Sequence, residues 1–474
     1  MAWVFAGKFV SRGLQLVKFV VLARLLSPED FGLFGIVMLA IATLGTFTQT
    51  GFGAALIQRR GNTEDFLDTA WTVQVIRGLV VAVALFALAP LVGWFFDEAR
   101  AAALLRVMCA SVVLGGLVNI GVIYFRKELE FHKQFVYDLV PAGLSLIVGV
   151  ALAYRLRSVW ALIWAGMATA VVQCILSYII HPYRPRVRFD GPQAAELFRF
   201  GRWVLAMSVV DFLAMQGDRA VLAKLLGASV LGVYSVASTF AGLPASEIRS
   251  LTDVVMMPAY AKVQDCKGKL GRAFLDVFEI VFSLALPLGV FMMLAAPEIV
   301  LGVLGPKWRS AITILRILAI AGVLRAVIGT TGPLFIGAGR PHLQFYKSIT
   351  RAVVTLGAIY PLTMLWGAEG TAISVVLGVA ALTPMFFWVV RISGVQVTEI
   401  CGRTAPGIVL SVCVIFGVLV GKLLPTLHVL VNLVLLLGLC GSLVAGAVVG
   451  MGVFQKRGPY CLAVRAWAAL REGS

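Results

Sequence analysis

Apolar residues run in long blocks along this chain, and the polar breaks between the blocks are short. A membrane-spanning helix needs about 20 predominantly apolar residues. Fourteen stretches meet that length: 4–26, 33–57, 70–96, 101–125, 135–154, 158–180, 201–226, 230–257, 274–304, 310–336, 345–366, 369–391, 404–425 and 427–453. Prolines inside them (Pro141, Pro244, Pro287, Pro361, Pro384) do not end a span, because neighbouring helices re-satisfy the backbone groups that proline frees. The pattern predicts an all-α polytopic membrane protein.

One stretch is stated twice. Residues 21–34 read VLARLLSPEDFGLF, and residues 221–234, 200 positions on, read VLAKLLGASVLGVY. Val21/Val221, Leu22/Leu222, Ala23/Ala223, Leu25/Leu225, Leu26/Leu226 and Gly32/Gly232 are identical pairs. Six helices separate the copies, so both keep one orientation and the halves relate by an axis along the membrane normal. The predicted organisation is a first lobe over 1–180, a cytoplasmic linker over 181–200, a second lobe over 201–391, two helices over 404–453 without a repeat partner, and a tail over 454–474 on the cytoplasmic membrane face. Within the linker, Pro192 to Phe200 alternates like a short interfacial helix.

Composition sharpens this. The chain is 60% hydrophobic and 13% charged, where soluble domains average about 45–50% and about 25%. The net charge of +17 would suit nucleic acid, but its distribution excludes that partner. Loops after odd-numbered helices hold only Arg24, Arg100, Arg155, Arg157, Lys307 and Arg309. The remaining loop cations follow even-numbered helices, which places both termini in the cytoplasm. No cleavable signal peptide is apparent. The seven cysteines show no ligand spacing and read as small free hydrophobes, and His132, His181, His342 and His428 show no metal spacing. No phosphate-binding loop, zinc-protease or nucleophile-elbow motif occurs, and no external loop is long enough for a catalytic domain. The chain therefore reads as a non-enzyme without a metal.

Ionisable residues inside spans are costly and mark cavities by default. In the first helix Lys8, Ser11, Arg12, Gln15 and Lys18 fall within about 120° of one another. They form either a cavity lining or a packing face. In the seventh, Asp211 and Asp218 share a face beside Arg219, and the 200-residue shift matches Lys18 to Asp218. These carboxylates are either gating and ion-coupling groups or locally paired ones. Arg77 in the third helix and Arg325 in the tenth lie deep as well. The deep charges are mainly cationic, and arginine forks with lysine point charges suit a pyrophosphate or an acidic sugar.

The segment from Ala23 to Arg60, ARLLSPEDFGLFGIVMLAIATLGTFTQTGFGAALIQRR, resembles the opening of the Wzx-type polysaccharide transporters of the multidrug/oligosaccharidyl-lipid/polysaccharide exporter superfamily. RKELEFHKQF (126–135), the run from Phe200 to Ala237 with its Asp218-Arg219 pair, and IGAGRPHLQF (336–345) resemble that family's later segments. The likeness covers almost the whole chain and is nearest to the colanic-acid and exopolysaccharide exporters. It departs in one respect: the first helix starts almost at Met1, without the usual short basic lead.

The resemblance implies two pseudo-symmetric six-helix lobes of the MATE type plus two C-terminal helices. It further implies alternating-access flipping of an undecaprenyl-pyrophosphate-linked oligosaccharide across the bacterial inner membrane. Lys18, Arg12, Gln15, Arg77, Arg219 and Arg325 are then the expected substrate-binding residues, with Asp211 and Asp218 as the ion-coupling or gating pair. No resident cofactor is expected, although some members couple to an H+ or Na+ gradient. The expected partners are the lipid-linked oligosaccharide, the bilayer, a polysaccharide polymerase and a chain-length regulator. Three rivals remain: a multidrug antiporter of the same superfamily, a membrane-embedded polymerase or ligase, and a flippase for the peptidoglycan precursor.

Overall fold

The computed structural model describes residues 2–58, 64–128, 130–263, 267–423 and 429–454. The side chains of Lys8, Glu247, Arg249 and Asp253, and the tail beyond residue 454, lie outside the described residues. The first six long helices are α1 (Ala2–Leu25), α2 (Pro28–Phe47), α3 (Glu64–Phe95), α4 (Ala99–Leu117), α5 (Phe131–Leu156) and α6 (Trp160–Ile180). One helical run, Gly191–Val263, breaks at Gly227 (φ 80°, ψ 178°) into α7 (191–226) and α8 (228–263). That conformation is open to glycine and closed to residues with a Cβ. After α9 (Lys267–Leu294) and α10 (Ala311–Gly329), the run Pro341–Ala380 breaks at Trp366 and Gly367 into α11 (341–365) and α12 (368–380). Ala405–Leu423 is α13 and Val429–Phe454 is α14.

Among the described residues, eleven stretches are long and apolar enough to cross a membrane. Two of them, Val204–Ser246 and His342–Ser393, contain the breaks just named and so cross twice. The charge-bearing α1 completes the fourteen expected spans. The protein is an all-α polytopic membrane protein.

Two elements differ from the sequence reading. α2 begins at Pro28 rather than 33 because Ser27 caps it: the Asp30 N–H donates to Ser27 Oγ and Ser27 N–H returns a bond to the Asp30 carboxylate. It ends at Phe47, and a separate short helix covers Phe52–Gln58 beyond the left-handed Gly51. Residues 192–200 are not a free interfacial helix. Asp190 Oδ1 accepts the Gln193 N–H at 3.0 Å, capping a helix that runs unbroken into α7.

Proximity along the backbone groups the chain into Met1–Val233 and Tyr234–Ser474, so α7 travels with the first six helices. In the first unit the linker is stitched to the start of α3. The Tyr183 hydroxyl and the Arg186 N–H both donate to Asp68 Oδ1, and the Arg188 N–H donates to Thr72 Oγ1. Burial and the Asp68 hydrogen bond push the Tyr183 phenol up. His181 stacks on Tyr124 (5.7 Å between ring centroids), and burial together with Lys133 holds its imidazole below the usual range.

In the second unit α13 is fastened to α9 at both ends. Arg403 pairs with Glu279, which is 3% exposed, and with Asp276 at 3.2 Å. Lys422 Nζ donates to Leu294 O at 2.9 Å and lies 3.6 Å from Glu298. The core of this unit gathers Tyr260, Phe274, Phe335 and Val389, each fully buried.

Candidate functional site

The polar stripe of α1 divides. Ser11 is buried with an unpartnered hydroxyl, whereas Arg12 and Gln15 are exposed. Lys18 turns into the helix packing: its Nζ donates to Ser145 Oγ on α5 at 3.0 Å, and that hydroxyl donates to Ala165 O on α6 at 3.1 Å. The ammonium thus occupies a joint between three helices.

Arg77 is also held by backbone. Its Nη2 donates to Gly45 O at 2.7 Å and its Nε to Thr48 Oγ1 at 3.3 Å. These acceptors lie at the C-terminal end of α2, where carbonyls lack helical partners and the dipole favours a cation. One turn earlier on α3, Gln74 Nε2 donates to Gly116 O and Val118 O, both at 3.1 Å, finishing the end of α4 in the same way.

On α7, Asp211 is exposed, while Asp218 is 8% exposed and its Oδ1 accepts the Arg219 N–H at 2.8 Å. Arg219 Nη1 donates to Gln216 Oε1 at 3.1 Å. Arg325, near the end of α10, differs from all of these: its Nε is buried without a hydrogen-bond partner. A buried guanidinium donor left unmade costs more than a hydrogen bond is worth, so this atom is one that a ligand could satisfy.

The two copies of the repeated stretch meet each other. A Cβ on Gly32 would lie 1.7 Å from Ala228 O, and a Cβ on Gly232 would lie 1.8 Å from Pro28 O. The 200-residue shift turns one contact into the other, which is the reciprocity of a two-fold interface. Only glycine allows α2 and the start of α8 to approach so closely.

Around this seam the neighbouring turns are tied together. Asp30 Oδ1 accepts the Val159 N–H at 2.9 Å, Arg100 pairs with Glu29, and Lys224 Nζ lies 2.7 Å from Asp97 Oδ2 and 5.4 Å above the Phe95 ring. At its other end α2 again meets α7. Gly201 packs on Thr50 O, where a Cβ would stand at 1.8 Å, and Phe47 contacts Phe212 edge to face at 6.4 Å.

Within the first unit, then, Lys18 and Arg77 are drawn to structural joints, Asp218 to its own neighbour, and the seam to the repeat copies. Three features went unread in the sequence. Gly45 O and Ser145 are acceptors on other helices, which no local pattern betrays. Glu279 is one of three carboxylates, with Asp276 and Glu298, inside the apolar run 274–304, and a carboxylate in a span was itself a signal. Lys347 reads as a loop cation, but it sits on α11 with its ammonium on Ile328 O. Among the described residues no cluster of potential metal ligands occurs.

The architecture defines a class. The structure superposes on the lipid II flippase MurJ in an inward closed conformation with a TM-score of 0.75, covering 96% of this chain and 100% of that one at 15% identity. An inward-facing multidrug resistance MATE family transporter of the MOP superfamily follows with a TM-score of 0.66, covering 81% of this chain and 98% of the other at 20% identity. The fold is that of the MOP transporters.

Sequence comparison narrows the class. Residues 21–313 match the family described as polysaccharide biosynthesis protein. The lipopolysaccharide biosynthesis protein WzxC of Escherichia coli (strain K12) is 30% identical over 379 residues, 79% of this chain and 76% of that one. The succinoglycan biosynthesis transport protein ExoT of Rhizobium meliloti (strain 1021) is 25% identical over 361 residues, 76% of this chain and 73% of its own. The chain belongs to this polysaccharide biosynthesis family of membrane transport proteins.

Proposed function

We propose that this protein is a flippase. It moves undecaprenyl-pyrophosphate-linked oligosaccharide repeat units from the cytoplasmic to the periplasmic leaflet of a bacterial inner membrane, supplying surface polysaccharide synthesis. The observation that carries this reading is the match to the polysaccharide biosynthesis family over residues 21–313, joined to a fold whose spans hold cations. Both termini face the cytoplasm, so the glycine seam and the Lys224–Asp97 pair lie at the periplasmic end. Alternating access then requires that seam to part.

The pyrophosphate or acidic sugars are held by cations inside the spans. Arg325, whose Nε lacks a partner, is the main contact, with Arg219 second. Lys18 and Arg77, expected as contacts, hold neighbouring helices instead, and Arg12 and Gln15 add exposed polar groups on α1. Asp211 and Asp218 are the ion-coupling or gating pair if an H+ or Na+ gradient drives the cycle. The polyprenyl tail stays in lipid. A polymerase and a chain-length regulator consume the flipped unit.

A clean deletion strain tests the assignment. Lipid-linked repeat units accumulate and surface polymer disappears, and the gene restores both. Normal polymer together with sensitivity to cationic dyes would replace this reading with drug export.

A further inference from the structure

Between α6 and α7, residues 181–190 form neither helix nor strand, yet the segment is firmly held. The Arg186 N–H donates to Asp68 Oδ1 at 2.9 Å and the Arg188 N–H to Thr72 Oγ1 at 3.0 Å. The donors lie two residues apart on the linker, the acceptors four apart on α3. Two extended residues advance about 6.6 Å and four helical residues about 6 Å, so this stretch runs alongside α3 as an extended strap. The Tyr183 hydroxyl also bonds Asp68, and Asn119 Nδ2 donates to Tyr183 O at 2.7 Å.

The strap lies at the membrane boundary. The apolar span of α3 covers Phe66–Phe95, 30 residues or about 45 Å, the thickness of a bilayer with its headgroups at about 40–45 Å. Thr72 is about 9 Å in from the Phe66 end, at the border between headgroups and acyl chains. It also marks an outward flank of the helix. Helical steps from Asp68 and Thr72 lead to Ile76, Leu79, Val80 and Val83, which are all exposed. An apolar face of a spanning helix that no protein covers is turned to lipid.

On an extended chain successive side chains alternate between two faces. Arg186 and Arg188 are exposed, and neither guanidinium makes a hydrogen bond or ion pair among the described residues. Val187 and Phe189 are 83% and 64% exposed. A cationic face and an apolar face are thus both bare at the depth of lipid phosphates. Guanidinium forks match a phosphodiester, and apolar side chains beside cations enter the boundary below it.

We propose that this strap is a preformed binding site for anionic phospholipid of the cytoplasmic leaflet. Arg186 and Arg188 hold the phosphodiester, while Val187 and Phe189 pack on the first acyl methylenes. Lipid is favoured over a soluble anion by the bare apolar pair, by the depth, and by the negative surface potential that draws juxtamembrane cations to this leaflet. The inference takes only its sidedness from the reading above and holds whatever the protein carries.

The test titrates full-length protein in detergent micelles with phosphatidylglycerol or phosphatidylcholine and counts bound lipid by native mass spectrometry. The wild type should retain phosphatidylglycerol preferentially. Arg186→Gln/Arg188→Gln leaves both backbone bonds to α3 in place and should weaken phosphatidylglycerol about 5-fold per arginine, with phosphatidylcholine unchanged. Val187→Ser/Phe189→Ser should weaken both lipids. Arg272→Gln/Arg391→Gln removes the same charge from two exposed positions elsewhere and should keep the wild-type preference. Equal losses from the two arginine pairs would show a diffuse attraction to net charge and overturn the site, as would no loss from the Arg186/Arg188 pair. Displacement of phosphatidylglycerol by inorganic phosphate at equal concentration would show a soluble-anion site and overturn it too. A salt titration of the wild type needs no variant: phosphatidylglycerol retention should fall as sodium chloride rises while phosphatidylcholine retention holds, and a preference indifferent to salt refutes the proposal.

Discussion

Arg77 and Arg325 each carry a guanidinium into a spanning helix, and both were expected to hold substrate. Their surroundings give them different work. Arg77 closes the C-terminal end of α2 through Gly45 O and Thr48. Arg325 keeps a buried Nε that no group among the described residues satisfies. The same residue type inside a span is thus a helix cap in one place and an unfilled donor in the other. Depth alone does not identify a substrate contact; the inventory of partners does.

Substitutions separate the two roles. The largest effect belongs to Arg325→Glu. Reversing a charge that faces an anion costs about 2–5 kcal/mol, so surface polysaccharide should fall about 100-fold or more, while the melting temperature of the purified protein stays near wild type. If instead the variant unfolds and its export loss merely follows protein level, Arg325 is structural and the contrast collapses. Arg77→Ala should act the other way. It strands Gly45 O and lowers stability by about 1–3 kcal/mol, read as a drop in melting temperature, with export per folded molecule preserved. Arg77→Lys should recover part of that drop by restoring one donor.

Lys18→Met sharpens the comparison within α1, because Lys18 resembles Arg77 in being held by Ser145. A loss of about 1 kcal/mol is expected from the missing hydrogen bond, again in thermal denaturation rather than in export. The smallest change is expected of Arg12→Ala. Arg12 is exposed on α1, so the melting temperature should not move, and a large fall in export from this variant would return the outer part of the α1 stripe to the substrate path.

The spans themselves were legible because each is a block of apolar residues interrupted by a turn. The breaks at Gly227 and at Trp366–Gly367 fall where the expected spans 201–226 and 345–366 end, whereas the start of α2 was placed at 33 because the Ser27 cap went unread. The repeat was legible too, and its two glycines proved to touch reciprocal carbonyls at Ala228 and Pro28. The partners of the intramembrane charges were not. Gly45 O is invisible to a pattern of side chains, and Ser145 lies 127 residues from Lys18. Lys347 looked like a loop cation because Gly339, Arg340 and Pro341 precede it. Only the packing of α11 against α10 reveals the carbonyl, Ile328 O, that it meets. Helix periodicity places a charge on a face, but what meets that face is a tertiary fact.

The most direct measurement is binding of a soluble short-chain prenyl pyrophosphate to the full-length protein in nanodiscs, comparing wild type, Arg325→Gln and Arg77→Gln at one salt concentration. The account predicts that Arg325→Gln weakens Kd by about 10-fold or more, the loss of one charged hydrogen bond, while Arg77→Gln binds as wild type does after correction for folded fraction. Equal binding by Arg325→Gln and wild type, with loss confined to Arg77→Gln, would contradict it.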